Sequence, residues 1–456
     1  MSIVMKFGGT SVADAPAFEN VARVVGAQRD ASPVVVVSAM SGVTDRLLAA
    51  ATIASERNAH EAISSLEDLF DRHKREAKQL LAASEADAFS GRVNDAATHV
   101  AELLRKIEHN PSEFKPLQDG VVSTGETLSS TLLAEVLKHL GITARQVDAR
   151  RCIITDEEYT SASPLMDHTF SATQEELRPL LENKIVPVLG GFIASTTTGA
   201  TTTLGRGGSD YTAALIGAAL NADEIQIWTD VTGVLTADPR VVPEAQTVER
   251  LSYSEAAELA YFGAKVLHPK TIQPAIESYI PVRICNSRAP QERGTLVGPQ
   301  TETSPRTLKA IAHKTGVTTV QITSARMLGA YGFLRALFEV FERHRTVVDV
   351  VTTSEVSVSL SLDDDSTLPE IVEELRKLGN VSVEKGFAII CVVGEGLQGQ
   401  PGIAAKVFST ISDINVTLIS QGASRINFTF AIEEGKVKEA VRRLHEAFFS
   451  AKEGHG

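Results

Sequence analysis

Cysteine is scarce in this 456-residue chain: Cys152, Cys285 and Cys391 lie more than 100 residues apart. That spacing fits no zinc cluster, and an odd, sparse count predicts a reducing compartment with no disulfide framework. Long apolar runs are missing as well. The best, Pro33-Val34-Val35-Val36-Val37, is only strand-sized, which excludes a helical membrane span. The opening residues, MSIVMKFGGTS, lack the charged start and long apolar core of a secretory leader. Positive charge is in deficit, with 44 Lys plus Arg against 57 Asp plus Glu and a formal charge of −13. A nucleic-acid partner is therefore not expected, although a local basic pocket stays possible. These absences predict a cytoplasmic chain with neither nucleic acid nor membrane as its partner.

What is present is ordinary globular composition, 43% hydrophobic and 22% charged. At roughly 100–200 residues per domain, the length predicts about three domains. Residues 3–8, 33–40, 185–189 and 225–228 read as near-continuous apolar strands, each running into a polar or glycine-rich loop. Strands of that kind alternating with helices indicate an α/β fold with a mainly parallel sheet covered on both faces. Ligands of such sheets sit beyond the carboxyl ends of the strands.

Between about residues 55 and 110 the pattern changes. Ile63, Leu66, Phe70, His73, Ala77 and Leu80 recur at helical spacing, as do Val93, Ala97, Val100, Leu104 and Ile107. The spacing predicts a helical hairpin joined near Ser90-Gly91, with His73 as a packed residue. Gly294, Gly298, Pro299 and Pro305 then mark a boundary near residue 300. Beyond it the chain repeats at an offset of about 70 residues: Ser354–Leu362 aligns with Ser424–Ile432, and Gly332-Phe333 with Gly402-Ile403. Each unit reads as a βαββαβ module. The expected domains are residues 1–300, 314–385 and 386–456, the last with a strand borrowed from about 306–313.

Candidate chemistry gathers at strand ends. Lys6-Phe7-Gly8-Gly9-Thr10-Ser11 has the ingredients of an anion cradle: glycines for close backbone approach, a lysine and two hydroxyls. A tight strand–helix turn is the plain alternative. Thr201–Asp210 is a second glycine-rich loop, expected to open a helix at Tyr211. Asp210 could be a helix cap, whereas Arg206 has no such structural reason to be there. Ser123-Thr124-Gly125-Glu126 is expected to begin another helix, where Glu126 could be a cap. Ser38 and Thr44 bracket the loop after the second strand and could be turn formers. Trp228-Thr229-Asp230 closes a further strand, Asp238-Pro239-Arg240 follows in a loop, and Phe262–Pro269 holds Lys265 and His268. Two glycine loops, lysines, an arginine and carboxylates at strand ends suit phosphoryl transfer, where positioning and charge neutralisation dominate.

In order and spacing, KFGGTSVAD, VVSAMSGVTD, the Gly125-Glu126 pair, TTTLGRGGSDYTA, WTDVTGVLTADPR and FGAKVLHPKT resemble the aspartate kinases. The tail resembles their tandem ACT domains. The resemblance implies an amino acid kinase fold followed by two ACT modules, and transfer of the ATP γ-phosphoryl group to the β-carboxylate of L-aspartate. It implies ATP with Mg²⁺ carried by the nucleotide, and no metal site of the protein's own. By the same resemblance, Lys6 and Asp210 would take the catalytic roles. Ser38, Thr44, Glu126, Arg206 and Ser209 would hold aspartate. Lys6, Gly8, Gly9, Thr10, Thr229, Asp230, Arg240 and Lys265 would hold the nucleotide, with Gly8, Gly9 and Thr10 as donors. Leu235 stands where some relatives carry a tyrosine.

Met327, Gly332, Phe333, Leu334, Val348, Asp349, Thr353, Ser354 and Glu355 resemble the effector site of lysine-inhibited, single-function members. Asp349 and Glu355 complement the two ammonium groups of lysine. Threonine is the rival effector, and exposed strand-end charges are the plain alternative for the two carboxylates. The family further implies homodimers through the ACT domains, with tetramers as a further step. Two rival readings are another amino acid kinase, which would generally lack tandem ACT domains, and a catalytically dead sensor, which would not need Lys6, Arg206, Asp210 and Glu126.

Overall fold

The computed structural model describes residues 2–263, 267, 269–299, 308–329 and 331–450. Contacts divide the chain into two compact units, residues 1–234 with 266–300, and residues 235–265 with 301–456. The segment 235–265 thus groups with the second unit, where a single run of 1–300 is the simpler expectation. Lys265 and His268 lie outside the described residues, as does the stretch 300–307.

In the first unit, the main sheet runs Ala144–Val147, Val186–Gly190, Pro33–Val37, Ile3–Phe7, Glu224–Thr229, Val282–Asn286 and Thr295–Gly298. Every pairing is parallel except the last, between Val282–Asn286 and Thr295–Gly298. Pro33–Val37 is buried at all five positions, the pattern expected of a strand covered on both faces. Lys6 stands level with Val36 on one side and Ile227 on the other, so three strands end together around it.

Two helix boundaries differ from the sequence expectation. The hairpin bends at Leu81-Ala82, between helices Glu67–Leu80 and Ala83–His109, and Ser90-Gly91 lies inside the second helix. Turning there buries both Leu80 and Leu81, and the Glu85 carboxylate accepts the Ala82 N–H at 3.0 Å. One mid-helix glycine costs only about 1 kcal/mol, too little to outweigh those terms. Likewise Glu126 does not start a helix. It sits mid-way along the 26-residue helix Phe114–His139, where Pro116 is tolerated in the first turn.

His73 is fully buried, with Nδ1 against the Leu69 carbonyl at 2.8 Å, a packed residue as its stripe predicted. Burial and the nearby Arg72 depress its imidazole to about 4, against the pull of that carbonyl. Among the described residues, no helix is long and apolar enough to cross a membrane.

The second unit is built on a six-stranded antiparallel sheet. Its order is Val351–Thr353, Ser357–Leu362, Ala310–Thr323, Asn380–Val393, Asn427–Glu433, Val416–Ser420. Two 14-residue strands form its centre. Residues Ala310–Lys314 pair with Ile389–Val393, and beyond an irregularity at Lys314/Val317 the rest of the strand pairs with Asn380–Phe387. The first βαββαβ module therefore runs from Val317 to the first half of Asn380–Val393. The second continues from there, and Ala310–Lys314 supplies its remaining strand. Ala237, Val241 and Val242, from the 235–265 segment, join Ile390, Val407, Phe430 and Leu444 in one apolar core.

Candidate active site

A pocket of about 520 Å³ opens in the first unit at the carboxyl ends of the central strands. Lys6, Ser38, Thr44, Glu126, Arg206, Ser209 and Asp210 all line it, although they are widely scattered along the chain. Gly8, Gly9, Thr10, Thr229 and Asp230 cluster at the ends of the adjoining strands but are not in its wall. Arg240 belongs to the second unit. There its side chain is 87% exposed and its guanidinium grips Asp238 with two parallel bonds, Nε to Oδ1 at 3.0 Å and Nη2 to Oδ2 at 2.7 Å.

Lys6 is fixed by an ion pair. Its Nζ meets Asp210 Oδ1 at 2.7 Å, with both side chains largely out of solvent. Asp210 is not the helix cap: the helix is Gly208–Leu220, opened by Gly207 at φ 75°. That left-handed turn, which glycine adopts without strain, leaves Asp210 in the first helical turn with its carboxylate turned to Lys6. Gly8 lies beside the Lys6 ammonium, where an added Cβ would make only an ordinary contact at 3.7 Å. Its N–H, however, is donated to the Trp228 carbonyl at 3.2 Å. Of the three N–H groups expected as donors, that of Gly8 is thus already engaged within the sheet.

Glu126 is 3% exposed, and its Oε2 finds no hydrogen-bond partner among the described residues. Thr44 Oγ1 approaches Oε1 at 3.5 Å, beyond the usual bonding range. Burial therefore dominates and pushes the carboxyl up to about 7, against the backbone of Ala39 and the Thr44 hydroxyl. Opposite in sign is Arg206, which is exposed within the pocket wall and, among the described residues, has no carboxylate partner. A small zwitterion would complement that pair.

Sequence reasoning missed several groups. Gly190 and Gly191 end a sheet strand where an added Cβ would lie 2.9 Å from Glu126 Cβ and 2.6 Å from Ser209 Cβ respectively. The consecutive glycines after an apolar strand were the available signal. Asp119, also in the wall, carried none; it is bonded by Thr160 and Thr203.

Within the second unit, Gly332 caps helix Phe333–Arg343 at φ 84°, and Met327 ends a short turn before it. Asp349 is not a loose strand-end charge. Its side chain is 3% exposed, takes a hydrogen bond from Tyr261 and faces the Lys314 ammonium at 3.5 Å. Burial, reinforced by neighbouring Asp363, pushes its carboxyl up to about 6 despite Lys314. Thr353 ends a strand, Ser354 closes the turn onto Ser357, and Glu355 is exposed beside it. Val348 and Phe333 pack against the first module's core, whereas Leu334 is 41% exposed.

Comparison with known proteins shows the family. The Amino acid kinase family pattern matches residues 1–286, and an ACT domain pattern matches residues 390–448. Aspartokinase 1, chloroplastic, of Arabidopsis thaliana is 39% identical over 99% of this chain and 81% of its own length. Lysine-sensitive aspartokinase 3 of Escherichia coli K12 is 36% identical over 98% of this chain and 99% of its own. The crystal structure of E. coli aspartokinase III with aspartate and ADP (R-state) superposes with a TM-score of 0.81 at 35% identity, covering 98% of this chain and all of that one. The same protein with lysine and aspartate (T-state) gives 0.82 at 35% identity, covering 98% and 99%. Similarity of this length, spanning both the kinase and the ACT regions, means that the chain belongs to the aspartokinase family and is an aspartate kinase using ATP and Mg²⁺.

Proposed function

We propose that the pocket binds L-aspartate between Arg206 and Glu126 and presents its β-carboxylate to ATP at Lys6. The observation that carries this reading is the charge layout of one 520 Å³ pocket. It holds a guanidinium with no carboxylate partner among the described residues, a buried carboxylate, and a lysine held by Asp210. Arg206 grips the α-carboxylate as a planar fork, and Glu126, with Thr44 beside it, accepts the α-ammonium. Ser209 and Ser38 line the path towards the transfer point.

The nucleophile is ionised at neutral pH and needs no general base. The obstacle is its repulsion from the triphosphate, about 4 kcal/mol per unit-charge pair at 4 Å and an effective dielectric near 20. Lys6 meets that repulsion with a fixed ammonium, supported by the N–H groups of Gly9 and Thr10 and by the dipole of helix Gly208–Leu220. Mg²⁺ bound to the nucleotide supplies further neutralisation. Thr229 and Asp230, at the end of the neighbouring strand, hold the nucleotide. The protein lies in a reducing compartment, the cytoplasm, where its three cysteines stay as buried free thiols.

The ACT unit regulates this activity through lysine, bound around Asp349, Glu355 and the helix start at Gly332. Lysine occurs with an E. coli relative in its T-state, which supports that choice over threonine. The incoming ammonium exchanges with Lys314 at Asp349. Leu328, Tyr331, Leu334, Phe338 and Val347 expose apolar side chains on the same module, which supports self-association into a homodimer there, with pairing into tetramers as a further step.

The decisive assay follows ATP-dependent acyl phosphate formation on L-aspartate, trapped with hydroxylamine, with and without millimolar lysine or threonine. Turnover suppressed by lysine is expected. Turnover suppressed only by threonine would overturn the effector, and no turnover on aspartate would overturn the pocket reading.

A further inference from the structure

Asp119 and Glu126 lie seven residues, or two turns, apart on helix Phe114–His139, so they share a face and both reach the pocket wall. Their surroundings differ. Glu126 Oε2 lacks a partner among the described residues, which leaves it open to a ligand. Asp119 is 1% exposed and already well bonded. Its Oδ2 accepts the Thr160 N–H at 2.9 Å and the Thr203 N–H at 3.2 Å, and its Oδ1 accepts the Thr203 hydroxyl at 2.7 Å. The two recruited segments are also joined to each other, the Ala162 N–H donating to the Thr203 carbonyl at 2.9 Å.

The consequence lies three residues downstream of Thr203. The strand Thr201–Thr203 leads directly into Gly205 and Arg206. Gly205 runs so close to Thr160 that an added Cβ would stand 3.3 Å from its carbonyl oxygen. Thr160 itself is held at φ 73°, a conformation that threonine, branched at Cβ, rarely adopts without support. One carboxylate thus fastens the root of the Arg206 loop to the helix that carries Glu126.

We propose that Asp119 is a positioning residue that sets the spacing between Arg206 and Glu126, and so fixes where the ammonium and the carboxylate on one substrate carbon are held. The inference rests on the proposed aspartate pocket. An α-amino acid presents those two groups at a fixed separation, so a loop root that drifts loses both contacts together. Displacement of about 1 Å is enough to cost about 100-fold. Since all three partners are donors and the hydroxyl can also accept, the role needs hydrogen bonds rather than a negative charge. An asparagine can aim its oxygen at the two amides and its NH₂ at the Thr203 hydroxyl.

The test compares steady-state constants of Asp119→Ala, Asp119→Asn, Thr203→Val and Arg206→Ala in the full-length protein, with melting temperatures alongside. Asp119→Ala is expected to raise KM for aspartate about 10- to 100-fold while leaving KM for ATP within about twofold. Asp119→Asn is expected to restore most of that loss. Thr203→Val removes one donor without emptying the site and shifts aspartate KM in the same direction by a smaller factor. It keeps the question answerable if the alanine variant does not fold.

Unchanged aspartate KM in Asp119→Ala, or in Thr203→Val where that variant alone folds, would overturn the proposal. An asparagine variant as impaired as the alanine one would also overturn it, because Asp119 would then act by charge as a ligand itself. Arg206→Ala separates the two layers: if it leaves aspartate KM unaltered, the pocket reading fails, whereas an impaired Arg206→Ala beside an intact Asp119→Ala sinks only the positioning role.

Discussion

A carboxyl group that is 3% exposed and short of partners among the described residues is strained by its own charge, and Glu126 is such a group. Its acidity near 7 against an ordinary 4.5 fixes the sign of two effects. Below pH 7 it protonates and can no longer attract an ammonium, so kcat/KM for aspartate should fall about tenfold per pH unit on the acid side. Glu126→Gln should show a low, flat profile over the same range. Because the folded-state value is raised, Glu126 favours the native state below pH 4.5 and withdraws that support as pH rises through 7. The glutamine variant should therefore match or exceed wild-type stability at pH 8, read from urea midpoints.

The sequence was informative at this scale wherever charge stood among glycines: Lys6, Arg206 and Asp210 are conspicuous because such loops are poor for stability. Asp119 was silent because its meaning resides in Thr160 and Thr203, 41 and 84 residues away along the chain.

Among the elements, apolar periodicity read the sheet strands well, since burial on both faces leaves an unbroken aliphatic run. Helix ends were harder to read. Ser90-Gly91 looks like a joint, yet the helix Ala83–His109 passes through it, because the bend is decided by burying Leu80 and Leu81. Gly91 is exposed, with open space where a Cβ would stand. Gly91→Ala should then stabilise the protein by about 0.5–1 kcal/mol without changing turnover, measured by chemical denaturation. The helix start expected at Ser123-Thr124-Gly125-Glu126 was the same error, since the helix had begun at Phe114.

For the whole molecule, composition and the 70-residue repeat indicated the modular plan and the strand borrowed from about 306–313, but chain order concealed a second exchange, that of segment 235–265. Ala237, Val241 and Val242 complete a core otherwise made by residues beyond 307. Arg442 donates to the Val241 carbonyl at 2.8 Å, and Thr236 meets His445 at 2.9 Å. A chain truncated at residue 300 would strand those apolar groups in water. It should express poorly and be cleaved by trypsin between 235 and 265 faster than the full chain, as followed by mass spectrometry.

The borrowed strand sets a clock. Ala310–Lys314 finds its strand partner in Ile389–Val393, 75 to 83 residues later in synthesis. At about 5–20 residues per second, that strand waits on the order of 4–15 s beyond the ribosome before its ladder can close. During that interval Ile311 has only the earlier Thr236, Ala237, Val241 and Val242 to meet, and any slower translation prolongs that incomplete state. The interleaved sheet therefore makes the tempo of translation, as well as the final contacts, a determinant of how much of this enzyme reaches its native form.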